Sequence, residues 1–467
     1  MRRSFFLALF ALPLVAALSA SACSDDTSLS PANADGGDAR VPPGTPPPAT
    51  IDAPDDSPPP PTCHATDLTN GTGAKWCDLP GATSDLTVPP DFCVHEFTTQ
   101  PILEARTIRF APNGDLFVGV PSKATVGGAF GGRGSILVLS DDNHDGLMDA
   151  LTDFLGGPYP TGASDTCAGV EAADPLNVAC VHGVAIVGNY LYFTRSDELR
   201  RVSYTDGQRA VSGTSELVAQ LGGTPIPDVR WTHTIDVRKD GSLLVTRGRF
   251  DSDSCSDEQM TRGAVMAIHV EQAGATLPLT PETVATGFRN PMYVRCAPTD
   301  CRECFVDELS GDNWDGVGGR EKVALISGNG ENYGYPCCVG RNATGPNGGG
   351  TDCSGVGHEL VSIQLHDTPF GLDFERGLFP APYTHGMFVA LHGVVSSYTG
   401  TGVVWIATDP QSLRPTAAPA AFADGFGKPS NRRATDVAFA PDGRLFVVDD
   451  NTGKIYWIAP KTLQMKP

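Results

Sequence analysis

The sequence predicts an all-β fold, a six-bladed β-propeller with disulfide-bonded loops. Three observations lead there. A short meander unit recurs six times, with starts roughly 50 to 80 residues apart, which is propeller-blade spacing once loops are added. Glycine at 53 residues and proline at 39 supply many turns, and no long helical periodicity separates the units. A lone meander cannot hide its apolar face, so the units must pack radially or against another sheet. A β-sandwich or two small β domains is the alternative.

The last unit is the clearest. Val437 and Phe439, then Leu445 and Val447, give two apolar strands around Pro441-Asp442-Gly443. That turn has a fixed φ followed by a residue tolerant of positive φ. Asn451-Thr452-Gly453 turns into a third strand, Lys454 to Ile458. Thr107 to Val118 and Thr234 to Val245 repeat the pattern closely. Val184 to Phe193, Met292 to Val306 and Phe370 to Leu391 repeat it more loosely.

Before the first unit the chain changes character. Arg2, Arg3 and the apolar run Phe5 to Ser19 have signal-peptide form. Ala20-Ser21-Ala22 before Cys23 is similar to a bacterial lipobox, which implies cleavage and acylation at Cys23. An ordinary signal peptide cut near Ala22 is the alternative. Ser24 to Thr62 holds 11 prolines, seven aspartates and one arginine, the composition of an extended, solvated tether. The expected organisation is a signal at 1–22, a tether at 23–62, a cysteine-containing lead-in at 63–100, the propeller at 101–460 and a tail at 461–467. The expected location is outside the cytoplasm, anchored by lipid alone, at an outer membrane.

The net charge is -21, from 33 basic and 54 acidic side chains. With no basic stripe to neutralise phosphates, nucleic acid is excluded as a partner. There are 13 cysteines, and removing Cys23 leaves 12, compatible with six disulfides in an oxidising compartment. Cys296, Cys301 and Cys304 lack a nearby histidine or second CxxC, so disulfides are expected there rather than zinc.

Asp141, Asn143 and Asp145 offer oxygen ligands at positions 1, 3 and 5 of a loop whose Gly146 makes the turn. The Leu147 carbonyl and Asp149 continue the shell. This is calcium-loop spacing, without the acidic residue at position 12, where Thr152 stands. An acidic hairpin tip without metal is the alternative.

Polar residues recur at corresponding ends of successive units: His182-Gly183, Arg230 to His233 with Arg247 and Arg249, Arg289-Asn290-Pro291, Asp307-Glu308 through Arg320-Glu321, His392-Gly393 and Asn431-Arg432-Arg433. A histidine titrates near working pH and can take a proton from an alcohol. Gly183 permits close backbone approach.

From about residue 100 to 460 the chain resembles the glucose/sorbosone dehydrogenases, soluble quinoproteins with a six-bladed propeller. His182-Gly183, Thr234 to Val245, Gly287 to Pro291, Glu331 to Pro336, His366 to Asp373, Met387 to Gly393 and Asp436 to Asp450 carry the resemblance, in a common order. It implies pyrroloquinoline quinone (PQQ) and Ca²⁺ as cofactors, with Ca²⁺ polarising the quinone. It implies His182 as the base that takes a sugar hydroxyl proton, with hydride passing to the quinone. Arg289, Asn290 and Pro291 would lie on a cofactor-side loop, Arg433 would hold carboxylates, and Arg247 and Arg249 are further anion-positioning candidates. His392 falls near a cofactor-binding lysine of the soluble glucose enzymes. The chain departs from many sorbosone-type members after His392-Gly393, where their tryptophan, asparagine and arginine are replaced within Val394 to Ser397.

The expected function is therefore PQQ-dependent oxidation of a sugar or sugar aldehyde/alcohol, passing electrons to an unidentified acceptor. One alternative is a cell-surface binding propeller without the quinone, using Trp231, Tyr383, Tyr398 and Trp405 as an aromatic rim. The other is a calcium-dependent lactonase-like hydrolase.

Overall fold

The computed structural model describes residues 67–121, 134–156, 176–178, 180–195, 198–221, 232–248, 255, 263–270, 276–298, 303–312, 314–328, 330–357, 359–394 and 397–466. The signal, Cys23, the tether, Arg230, Trp231 and Arg249 lie outside them.

The described residues form six antiparallel meanders, one from each recurring unit. Blade 1 comprises Thr107–Phe110, Leu116–Val120, Ser135–Ser140 and Ala150–Leu155. Blade 2 comprises Val184–Val187, Tyr190–Arg195, Glu198–Ser203 and Glu216–Gln220. Blade 3 comprises Ile235–Val237, Leu243–Arg247, Ala264–Ile268 and Glu282–Thr286. Blade 4 comprises Asn290–Cys296, Cys304–Leu309, Glu321–Ile326 and Val361–Ile363. Blade 5 comprises Pro369–Phe374, Met387–Leu391, Gly402–Ile406 and Ala420–Ala423.

Blade 6 closes the ring. Ala434–Phe439, Leu445–Asp449 and Lys454–Pro460 are joined on the outside by Phe92–Glu96, with Phe92 opposite Pro460 and Glu96 opposite Tyr456. Part of the expected lead-in is thus a blade strand. Closure covers the edge that a sixth three-stranded sheet would leave open.

The first strand of each blade packs against the first strands of its two neighbours, completing a ring about the axis. Apolar side chains fill the wedges between blades. Between blades 6 and 1, Ile108, Val118 and Leu139 meet Phe446 and Trp457. Between blades 5 and 6, Phe388 and Phe422 meet Val447 and Tyr456, with Phe92 and Val94 sealing the rim. Each such fully buried large side chain contributes about 1.5–3 kcal/mol. Tyr383 and Trp405, candidates for an aromatic rim, pack edge to face at 5.1 Å against this same cluster.

Inner strands begin, and second strands end, at the same mouth of the channel. In each inner strand of blades 4, 5 and 6 the register slips at this end, between Pro291 and Tyr293, Pro369 and Gly371, and Ala434 and Asp436. Such bulges re-aim side chains beside functional sites.

Disulfides join Cys77 to Cys93, Cys255 to Cys337, Cys296 to Cys304 and Cys338 to Cys353. Cys180 is disulfide-bonded as well. The Cys296–Cys304 bond bears out the expectation of disulfide rather than zinc. Among the described residues no helix is long and apolar enough to cross a membrane.

Candidate functional site

The channel axis is filled by a polar ladder. Asp436, fully buried on the inner strand of blade 6, accepts the Tyr293 hydroxyl and the Ile108 N–H (2.8 Å) through Oδ2. Arg109 donates to the Tyr293 oxygen from the other side. Gly371 makes this possible, because a Cβ there would come within 2.3 Å of Asp436 Oδ1. Below it, Arg295 holds Asp373 through Nε (2.9 Å) and Nη2 (2.7 Å), and Asp373 also accepts the N–H groups of Phe374 and Phe439, each at 2.8 Å. Burial raises the Asp436 carboxyl to about 6 despite the opposing Arg109 charge.

His182 lies at the mouth where the inner strands begin, fully buried just before blade 2. Gly183 lets the chain pass within 2.6 Å (from a notional Cβ) of the His233 carbonyl. The Gly183 N–H donates to Thr194 Oγ1 at 2.9 Å, and that hydroxyl donates to the His233 carbonyl at 2.6 Å. Burial, with Arg106, His233 and Arg109 nearby, holds the His182 imidazole well below its usual pKa. It is neutral at working pH, so a ring nitrogen keeps its lone pair, while the same burial and the nearby cations disfavour the imidazolium that proton uptake would form.

Phe370 connects His182 to the rest of the mouth. Its ring is 6.5 Å from His182, edge on, and stacks on His392 at 4.2 Å. The Arg106 guanidinium lies 5.5 Å from the Phe370 centroid. His392 Nδ1 faces Arg433 Nη2 at 2.6 Å, and His392 Nε2 faces Asp450 Oδ2 at 3.1 Å. Arg106 bridges to Asp450 at 3.2 Å and to Glu104 at 3.6 Å. Burial lowers the His392 pKa to about 4, with Asp450 opposing the shift and the two arginines adding to it. For Asp450 burial acts upward, yet Arg106, His392 and Arg433 prevail and hold it at about 2.

Arg289 and Asn290 enter the same mouth from blade 4. The Arg289 N–H donates to Glu308 Oε1 (2.6 Å), and its guanidinium donates to the Ser310 carbonyl (3.0 Å) and to Asp312. Its Nε is buried without a hydrogen-bond acceptor. Asn290 Oδ1 accepts from Thr232 at 3.0 Å, and Pro291 occupies the bulge. Lys322 pairs with Glu308 at 3.0 Å, both fully enclosed. Burial raises Glu321 to about 8, although it accepts the Thr368 and His366 N–H groups.

Of the residues the sequence singles out, the structure brings His182, His392 and Arg433 together and puts Arg289, Asn290 and Pro291 at the same mouth. Arg247 ends the second strand of blade 3 on that side and is half-buried. Arg106, Asp450 and Phe370, which complete the cluster, are not singled out as site residues by the sequence. Arg106 directly precedes the first unit, and that position was the one available signal.

The acidic loop stands apart, on blade 1. Asp141 Oδ2 accepts the Gly146 N–H (3.1 Å), Asn143 Oδ1 that of Asp145 (2.8 Å), and Asp145 Oδ1 that of Leu147 (2.9 Å). The Asn143 amide donates to Asp145 and to Asp149 (3.0 Å). Asp141 Oδ1 is buried without a hydrogen-bond partner. Among the described residues no three His, Cys, Asp or Glu side chains are arranged to hold a metal.

No protein-family model matches the sequence, and no curated protein matches it either. Solved structures do resemble it in fold. A Trichoderma reesei carbohydrate-active enzyme of family AA12, in its calcium structure, superposes with a TM-score of 0.62 at 18% identity, covering 85% of this chain and 100% of that one. The holo PQQ domain of pyranose dehydrogenase from Coprinopsis cinerea gives 0.60 at 15%, covering 82% and 98%. The PQQ-bound aldose sugar dehydrogenase of Streptomyces coelicolor gives 0.50 at 19%, covering 80% and 99%. At these identities the likeness is one of fold.

Proposed function

We propose that the chain is a PQQ-dependent oxidoreductase acting on a sugar or sugar-like alcohol or aldehyde at the mouth that contains His182. One observation carries this reading: a fully buried, neutral histidine shares that mouth with the guanidinium groups of Arg106, Arg289 and Arg433. The fold likeness to PQQ-holding propellers adds to it.

The donor types fit a planar polyanion. Arg433 and Arg106 flank the stacked Phe370 and His392 rings, and the Arg289 Nε has a donor to spare. Bound there, the quinone would supply a two-electron acceptor for hydride. Arg433 would exchange its contacts to the His392 and Gly393 carbonyls, both at 3.3 Å, for quinone carboxylates. His182 would hold the substrate hydroxyl and take its proton on a ring nitrogen. His392, being neutral, would orient Arg433 and Asp450 rather than act as a cationic clamp.

The remaining parts of the reading are export, a lipid anchor at Cys23, a solvated tether before the propeller, an electron acceptor of unspecified kind, and Ca²⁺. Beyond polarising the quinone, Ca²⁺ would sit structurally at Asp141, Asn143, Asp145, the Leu147 carbonyl and Asp149, displacing the Asn143 amide from its two carboxylates. A melting temperature that rises with millimolar Ca²⁺ and falls with chelator, but does neither in Asp141→Asn, supports that site. No difference removes it.

A second reading, a binding propeller without quinone, is favoured by one feature: Asp450 and Glu104 already neutralise Arg106, while Arg433 is already spent on His392 and two carbonyls. Calorimetric titration with PQQ and Ca²⁺ separates the two. Stoichiometric binding at micromolar or tighter affinity, followed by turnover of aldoses with an artificial acceptor, supports the enzyme. No binding by folded protein leaves the second reading.

A further inference from the structure

The three guanidinium groups at the His182 mouth are all occupied, but their partners differ in one respect. Arg106 pairs with Asp450, whose side chain is 5% exposed, at 3.2 Å, and with Glu104 at 3.6 Å. Arg433 faces the buried His392 ring and the His392 and Gly393 carbonyls. Arg289 donates to the Ser310 carbonyl at 3.0 Å and to the Asp312 carboxylate. In that last pair the acid is 74% exposed and the guanidinium only 9%.

The asymmetry matters for a ligand that must reach these arginines. Asp450 cannot leave Arg106 without stranding two enclosed charges, which is costly. Asp312 can turn into water and keep its charge solvated, at little cost to itself. Of the counter-ions at this mouth among the described residues, it is the one most open to displacement.

The backbone beneath Asp312 cannot follow. The next ring in the loop, Trp314, is fully buried and clasped by two glycines. A notional Cβ on Gly311 would come within 2.7 Å of its ring, and one on Gly319 within 2.3 Å of its Cβ. The Trp314 N–H donates to the Gly311 carbonyl at 3.1 Å, and the Gly319 N–H to the Trp314 carbonyl at 3.0 Å. Tyr335 packs on the indole at 5.3 Å. A released Asp312 carboxylate therefore stays beside Arg289 at high effective concentration.

We propose that Asp312 is a tethered competitor for Arg289, which a ligand carboxylate must displace to bind at the His182 mouth. For the ligand's identity this rests on the quinone reading of that mouth; the competition itself applies to any carboxylate bound there. Asp312 thereby sets how far the mouth discriminates against anionic ligands in favour of neutral ones.

The test is calorimetric titration of the full chain at fixed ionic strength, with PQQ plus Ca²⁺ and, separately, with citrate alone. Wild type is compared with Asp312→Asn, Arg289→Gln and the double variant, each first checked for a wild-type melting curve. Asp312→Asn is expected to bind about tenfold or more tightly, the scale of one hydrogen bond to a charged group. In the Arg289→Gln background the same replacement is expected to change nothing, which separates competition for that guanidinium from a general loss of negative charge. Asp312→Glu, which keeps the charge, should stay near wild type and serves as the control should Arg289→Gln fail to fold. Equal affinity for both ligands in wild type and Asp312→Asn, or a gain that persists without Arg289, overturns the proposal. A gain for citrate with no PQQ bound by either protein keeps the proposal and removes the quinone. PQQ bound equally by both keeps the quinone and removes the proposal. No binding of either ligand by either protein removes both.

Discussion

Arg433 donates from Nη2 to Nδ1 of His392 at 2.6 Å. A guanidinium has no acceptor, so Nδ1 must carry the lone pair and the imidazole proton resides on Nε2, facing Asp450. The 3.4 Å approach of Arg106 Nη1 to that nitrogen is then a contact between donors, with Asp450 accepting from His392 Nε2 and pairing with the Arg106 charge.

Burial of this neutral imidazole, with two arginines beside it, makes the protein acid-sensitive. His392 is neutral in the fold down to about pH 4 but protonates near 6.5 when unfolded, so the unfolded chain binds more protons between those values. Stability should fall as pH drops from 6.5 to 4, and Asp450, held at about 2 against 3.8, should extend the loss below pH 4. Denaturant titrations across pH 4 to 7 should show a shallower acid slope in His392→Gln. An identical slope would refute a lowered His392 pKa in the fold.

Glu321 predicts the opposite trend on the alkaline side. Its carboxyl keeps a proton up to about pH 8 in the fold and only to 4.5 outside it, so the folded chain binds more protons in that window. The contribution is complete below 4.5 and lost as pH rises through 8. Glu321→Gln should flatten the decline in melting temperature between pH 5 and 8.5.

Replacing His182 by alanine should lower turnover by about 10²–10⁴-fold if it is the general base, with PQQ affinity changed by less than about threefold. Loss of less than tenfold in turnover, with quinone bound, would remove it from the reaction.

Arg433→Ala should weaken quinone binding by about tenfold or more, the scale of a charge-assisted hydrogen bond, and Arg433→Lys should recover part of it. Calorimetry reads both. Equal affinity in all three proteins would mean that the quinone, if bound, is held elsewhere.

Much of the architecture is legible in the sequence because turn chemistry is local. Pro112-Asn113-Gly114 and Pro441-Asp442-Gly443 announce hairpins without reference to the rest of the chain. The outer strand Phe92–Glu96 is not legible, since its pairing with Lys454–Pro460 is fixed by ring closure, as the Lys454–Glu96 bond across 358 residues illustrates. The mouth divides in the same way. His182 and Arg433 stand out at unit boundaries, but Phe370 and Asp450 read as strand residues until three blades bring them against Arg106.

Closure by Phe92–Glu96 also fixes an order of events. The strand precedes every inner strand in the chain and its partner Lys454–Pro460 follows them all, so a nascent chain not yet extended through Pro460 cannot complete the ring. Until Lys454–Pro460 has emerged, the Phe92–Glu96 segment has no native partner, and its apolar Phe92 and Val94, buried in the finished ring, lack their cover. The ring therefore closes only once Lys454–Pro460 is made, and truncation after blade 5 would leave an open arc with two raw edges instead of a smaller propeller.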